Sequence, residues 1–260
     1  MEREDVKTLA RELGADLCGV AAASRFGEAP EGFRPEDVLP RARSVVVTAR
    51  RFLQSALGAG SSIPYTDVRN HLTRRMDDLS TELAYRLEDA GARAVPVNAI
   101  GPTERDPLSG RTRGILSLKH AAALAGLGWI GRNTLLVTPE HGNLVWLGGV
   151  VTDLELEPDP VRAAPRCPEE CRLCRDACPS GALDRDPMDQ RACWEHAFGS
   201  PAHGGEWRIR CFACRSVSAS AKLTCTCGPP DSRYAYTSAA SARFPAFPRT
   251  TDGFSFTLSA

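Results

Sequence analysis

No apolar stretch in this 260-residue chain approaches the roughly 20 residues that cross a bilayer. None opens it either, since the sequence begins Met-Glu-Arg-Glu-Asp. The first absence predicts no membrane partner. The second removes the apolar signal segment that would send a chain to an oxidising compartment, so the expected location is the cytoplasm and disulfides are disfavoured. Net charge is missing as well: 32 Lys and Arg balance 32 Asp and Glu, which argues against holding nucleic acid by bulk charge, although a local basic patch stays compatible with it. There is no dinucleotide fingerprint, because the glycine-rich segment follows a helix and precedes a strand, the reverse of the order that fingerprint needs. Hydrophobic content of 42% is that of an ordinary globule. The length is generous for one core and predicts a large domain with a smaller one beside it.

What the chain has in excess is thiol in one place. Cys167-Pro-Glu-Glu-Cys171-Arg-Leu-Cys174-Arg-Asp-Ala-Cys178-Pro179 packs four thiols into a short segment that ends in Cys-Pro. A ferredoxin-type run spaces three ligands two residues apart and sends the Cys before Pro to a second iron–sulfur cluster. Here the first gap is one residue longer. Cys193, Cys211 and Cys214 follow and would give Cys178 three companions on a second cluster. Structural zinc is the alternative, though a tetrahedral zinc site prefers two separated Cys pairs. Cys18 sits in the apolar run Ala-Asp-Leu-Cys-Gly-Val-Ala and reads as a buried structural thiol.

The first 150 or so residues alternate helix and strand. Val6, Leu9, Ala10 and Leu13 share one helical face before Gly14, and Leu17 to Ala22 reads as a buried strand. Ser44 to Thr48, with three consecutive valines, is another. A long helix is expected from about Asp67 to Ala90, with Leu72, Met76, Leu79, Leu83 and Leu87 on one stripe, ended by Gly91. Ala94 to Val97 resumes as a strand, Ile100 to Gly114 is a breaker-rich loop, and Leu118 to Ala125 is a short helix. After the turn Gly126-Leu-Gly128-Trp129-Ile-Gly131-Arg-Asn133 come strands at Thr134 to Val137 and Leu144 to Leu154. The acidic, Pro-rich stretch Glu155 to Pro165 marks the boundary, giving an α/β domain at 1–155, a cysteine domain at 156–218 and an irregular low-complexity tail at 219–260.

Lys119-His120-Ala-Ala, Ala-Gly-Leu-Gly-Trp-Ile-Gly-Arg-Asn, Leu-Leu-Val-Thr-Pro-Glu-His-Gly-Asn and Val-Val-Thr-Asp-Leu-Glu-Leu, followed by the Cys run, resemble the epoxyqueuosine reductase family. The match is strong from about Ile115 to Cys214, and the chain looks like a short, divergent member. The resemblance implies an α+β fold, with a nitroreductase-like α/β N-terminal domain and a small ferredoxin-like double-cluster C-terminal domain. It implies a cobalamin-dependent iron–sulfur reductase related to reductive dehalogenases, holding one or two 4Fe-4S clusters and a corrinoid fed one electron at a time. Carried over, it gives Cys167, Cys171 and Cys174 to one cluster and Cys178, Cys193, Cys211 and Cys214 to the other. Lys119, His120, Gly126, Gly128, Trp129, Gly131 and Asn133 become the cofactor face, with the glycines as the backbone's point of approach to the corrinoid or to the cluster domain. The implied partners are a corrinoid or small-molecule substrate and an external electron donor such as a ferredoxin or flavodoxin.

Departures from the family pattern narrow these expectations. The family's second Cys segment continues Cys-x-x-Cys-x-x-x-Cys-Pro, whereas this one reads Cys211-Phe-Ala-Cys214-Arg-Ser-Val-Ser218-Ala219. The first cluster lacks its fourth thiolate unless Ser218, Cys225 or Cys227 supplies a ligand. The Asp that looks like the family's proton donor has no evident counterpart here, where Val97-Asn98-Ala99 stands near its expected place and Glu104 and Asp106 lie in the loop that follows, so no catalytic residue is singled out. With zero net charge beside these losses, a tRNA anticodon is a doubtful substrate. The competing readings are an electron carrier without corrinoid and an impaired metal-binding relative.

Overall fold

The computed structural model describes residues 1–105, 112–163, 170–198, 209, 211 and 213–215. Cys167, Asp106, Ser218, Cys225, Cys227 and the tail at 219–260 lie outside the described residues. In chain order the elements are α1 (Arg3–Glu12), β1 (Leu17–Ala22), α2 (Pro35–Val38), β2 (Ser44–Arg51), α3 (Ile63–Asp89), β3 (Ala94–Val97), β4 (Glu104–Arg105), β5 (Thr112–Arg113), α4 (Leu118–Leu124), β6 (Trp129–Ile130), β7 (Leu136–Val137), β8 (Val145–Thr152), α5 (Leu173–Asp176) and α6 (Gln190–Phe198). Mixed helix and strand is what the sequence predicts.

The central sheet has four strands in the order β1-β2-β8-β3, and every neighbouring pair is antiparallel. Strand alternation sends side chains to opposite faces. Val20, Val46 and Val150 meet Val6 of α1 and Leu83 and Leu87 of α3 on one face. Ala21, Val45, Val47 and Val151 meet Leu118, Ala121 and Ala122 of α4 on the other. The result is a helix–sheet–helix sandwich. Each fully buried Leu or Val contributes about 1.5–3 kcal/mol relative to exposure, so these two faces carry most of the domain's stability.

Helix α3 runs where the leucine stripe predicts but begins earlier, at Ile63, because Pro64 fits the first turn, where a missing N–H costs nothing. It stops at Gly91, whose φ of +89° belongs to the left-handed region; the Ala92 amide then reaches back to the Leu87 carbonyl. The helix can cross β8 closely because Gly148 has no side chain where Ser80 Oγ and the Met76 carbonyl lie.

Two features depart from the expected element list. The glycine-rich turn is a hairpin, in which β6 at Trp129–Ile130 pairs with β7 at Leu136–Val137, so the strand expected from Thr134 is shorter and has a partner. The acidic connector is strapped to the α/β domain. Asp159 donates its amide to the Val20 carbonyl, accepts from the Val20 amide through Oδ2 at 2.8 Å, and forms an ion pair with Lys7. Arg25 reaches the Leu124 and Asp159 carbonyls at 2.7 and 2.6 Å. The connector thereby covers the outer edge of β1, a strand edge that would otherwise be open to pairing.

Candidate metal centre

The thiols come from three short pieces of backbone. Cys174 lies within α5, and Cys178 lies just after it, where the Cys178 amide donates to the Arg175 carbonyl. The chain then turns through Pro179 and Ser180 to Gly181, whose φ is +64°. That turn wraps the Cys178 sulfur: burial raises the thiol's pKa, but the Ser180 hydroxyl and the amides of Leu183, Ser180 and Ala182 face the sulfur and bring it below its ordinary value. Cys193 sits on α6, whose start is fixed by the Asp189 side chain accepting from the Ala192 amide. Cys211 and Cys214 belong to the third piece.

Cys178, Cys193, Cys211 and Cys214 stand close enough to feel one another's charge. Burial pushes the Cys193 thiol up to about 11, with Cys214, Cys211 and Cys178 adding to it in that order. Burial also raises Cys214, against the pull of Arg215, with Cys211 and Cys178 raising it further. Cys211 is raised by burial and by Cys178, opposed by the Ala213 amide. Ionising all of these thiols together needs a cationic centre among them, which is what iron provides. Among the described residues no three His, Cys, Asp or Glu side chains converge tightly enough for a single metal ion. In kind and number the four thiols match the ligands of a four-iron cluster.

Cys171 and Cys174 are half-buried, while Cys167 lies outside the described residues. The segment of Cys171 is held to the α/β domain by Arg132, whose Nη1 donates to the Cys171 carbonyl at 2.9 Å. Asn133 and Asn143 both donate Nδ2 to the Cys214 carbonyl, at 3.4 and 3.2 Å. Further ties are Gln190 to both backbone groups of Thr112, the Ile209 amide to Thr66 Oγ1, and the Thr134 hydroxyl to Met188 Sδ. Asn143 and Arg215 were not singled out from sequence. Only Asn143, in the His-Gly-Asn motif, carried any local signal.

The expected cofactor face divides in two. Gly126, at φ +73°, has the Pro160 carbonyl where a Cβ would stand, and Gly128 has the Val137 carbonyl there. At Gly131 the position is taken by Asn133 Oδ1 at 2.7 Å. The close approach these glycines permit is thus of chain to chain: hairpin to connector, and hairpin strand to hairpin strand. Trp129 is half-buried in that hairpin. Lys119 and His120 lie on α4. The Lys119 ammonium donates to the Thr134 carbonyl at 2.7 Å, and burial lowers its pKa. His120 Nδ1 pairs with Ser117 Oγ at 2.7 Å; partial desolvation, and then the Lys119 charge, lower the imidazole's pKa.

In the Val97-Asn98-Ala99 segment, Asn98 folds its amide onto the Gly101 carbonyl. An acid does stand beneath this loop: Asp77 on α3 accepts from the Ala99 amide at 2.7 Å, and burial raises its pKa against that hydrogen bond. Sequence reasoning passed over Asp77 because a charged residue on a helix normally marks the solvated face.

No family model matches the chain. The epoxyqueuosine reductase of Gloeobacter violaceus is 29% identical over 252 residues, covering 81% of this chain and 73% of that protein. The chain spans about half the length of other curated epoxyqueuosine reductases that it matches. An epoxyqueuosine reductase solved with an epoxyqueuosine-modified tRNA-Tyr stem loop superposes with a TM-score of 0.51 at 21% identity, over 84% of this chain and 64% of that one. A reductive dehalogenase whose structure suggests a mechanism for B12-dependent dehalogenation gives 0.51 at 21% identity, over 69% and 25%. At these identities the structural likeness is one of fold.

Proposed function

We propose that this divergent relative of the epoxyqueuosine reductases is an iron–sulfur oxidoreductase that passes single electrons from a cysteine-held centre to an acceptor on its α/β domain. The observation that carries the reading is the mutual electrostatic influence of Cys178, Cys193, Cys211 and Cys214, brought together from three backbone segments. A four-iron cluster, when bound, supplies one-electron transfer. The chain's own part is to hold and shield it. The Ser180 turn stabilises the Cys178 thiolate, Asn133 and Asn143 fix the Cys214 carbonyl, and Arg132 fixes that of Cys171. Cys167, Cys171 and Cys174 are assigned to a second cluster.

The acceptor in this reading is a corrinoid or a small molecule, and the likeness to a B12-dependent dehalogenase fold supports the corrinoid. A second reading, an electron-transfer protein without corrinoid, is favoured by the glycine positions already filled by the chain itself. RNA remains in play: zero net charge and Asn98 argue against a tRNA substrate, while likeness to a reductase solved with a tRNA stem loop argues for one. An external ferredoxin or flavodoxin is the proposed electron source. Among the described residues no helix is long and apolar enough to cross a membrane. Anaerobic purification followed by iron, sulfide and corrinoid analysis tests the proposal. Iron and sulfide with bound corrinoid support the reductase, iron and sulfide without cobalamin binding support the carrier, and zinc alone overturns both.

A further inference from the structure

Two guanidinium groups meet on one indole beside the third thiol segment. Arg215 follows Cys214 directly, donates Nη1 to the Asn143 and Val145 carbonyls at 2.9 and 3.4 Å, and stands with its Cζ 4.8 Å from the Trp146 ring centroid. Arg69, on α3, lies over the same ring at 6.0 Å. Neither forms an ion pair with a carboxylate among the described residues, whereas Arg172, Arg185 and Arg191 of the cysteine region are each paired with one. Trp146 is buried and its Nε1 has no partner among the described residues. Like charges drawn together in a half-buried place are costly unless an anion is near.

The groups at hand that become anionic are the cysteine thiols, the last of which, Cys214, directly precedes Arg215; the Tyr65 hydroxyl, whose ring packs on Phe52, is raised first by burial and then feels Arg215, Cys214, Arg69 and Cys211. We propose that Arg215, backed by Arg69, is the counter-charge of the cluster held by Cys178, Cys193, Cys211 and Cys214, a positioning residue that raises that cluster's reduction potential. Reduction adds a negative charge to the cluster, and a fixed cation beside it favours the reduced state. The two backbone carbonyls and the indole face keep the guanidinium from swinging into solvent, where water and salt would screen it. This inference rests on the iron–sulfur reading above.

The test is a potentiometric titration of the full chain, anaerobically reconstituted and followed by electron paramagnetic resonance. An iron and sulfide assay on the wild-type protein comes first, and its failure would strike the iron–sulfur reading before any variant is compared. Arg215→Gln is expected to keep its iron and titrate at lower potential, Arg69→Gln to fall by less, and Arg215→Lys to stay near wild type. An unchanged potential in iron-loaded Arg215→Gln, or an equal fall in Arg215→Lys, would overturn the proposal. If Arg215→Gln cannot hold iron, Arg69→Gln decides, because it removes a charge without touching the ligand segment; no fall there overturns the proposal as well.

Discussion

The α/β domain and the cysteine region are held together by different forces. Helix α3 buries Leu72, Met76, Leu79, Leu83 and Leu87 against the sheet, while α5 buries no residue and α6 only Ala197. Among the described residues there are three apolar clusters, and the cysteine region contributes Ile209 and a partly buried Phe198 to the second of them. One part is stabilised by removing apolar surface from water. The other is joined by side-chain donors to backbone carbonyls, and in the proposed reading the centre its thiols hold adds to its stability, since metal-binding energy is also folding energy.

The largest expected effect follows from that contrast. Cys214→Ala should lose about four irons per chain, one cluster's worth, and collapse the cysteine region while leaving the α/β domain folded. Iron analysis with hydrogen exchange separates the two parts; equal loss of protection in both would break the comparison. On the other side, Leu83→Ala should destabilise the α/β domain by about 2–5 kcal/mol through the cavity it leaves, with iron content unchanged at temperatures where the domain is folded. Denaturant unfolding measures it. Gly128→Val should cost about 1–3 kcal/mol or more by driving a side chain into the Val137 carbonyl, so its signature is lost stability even with no cofactor present.

The smallest effect is a pH dependence confined to the α/β side. Burial pushes the Cys18 thiol from 9.0 up to about 12. A raised folded-state value means that the neutral thiol's contribution is fully present below pH 9 and is lost as the pH rises toward 12. In Cys18→Ala, denaturation midpoints should fall less steeply across that window than in wild type. Identical slopes would mean that Cys18 ionises freely.

Local patterns made the α/β domain readable. β1 and β3 span the residues their apolar runs mark, and the α3 stripe is buried as its three-and-four spacing requires. Strand order and the strap of Asp159 along β1 were not readable, because both depend on contacts between distant segments. At the site, cysteine spacing marked the thiols and the family motifs marked Lys119 through Asn133. Asn143 and Arg215 escaped, since one amide 71 residues from Cys214 in the chain, and one arginine among many, carry no pattern until the fold joins them. The glycines were legible as a place of close approach, but the approaching group is this chain's own backbone.

Iron and acid-labile sulfide measured on the anaerobically reconstituted protein, beside its Cys178→Ala and Cys193→Ala variants, test the central claim most directly. The account predicts at least about four irons with matching sulfide in wild type, and loss of one cluster's iron in either variant. Stoichiometric zinc without sulfide, or iron that both variants retain in full, would contradict it.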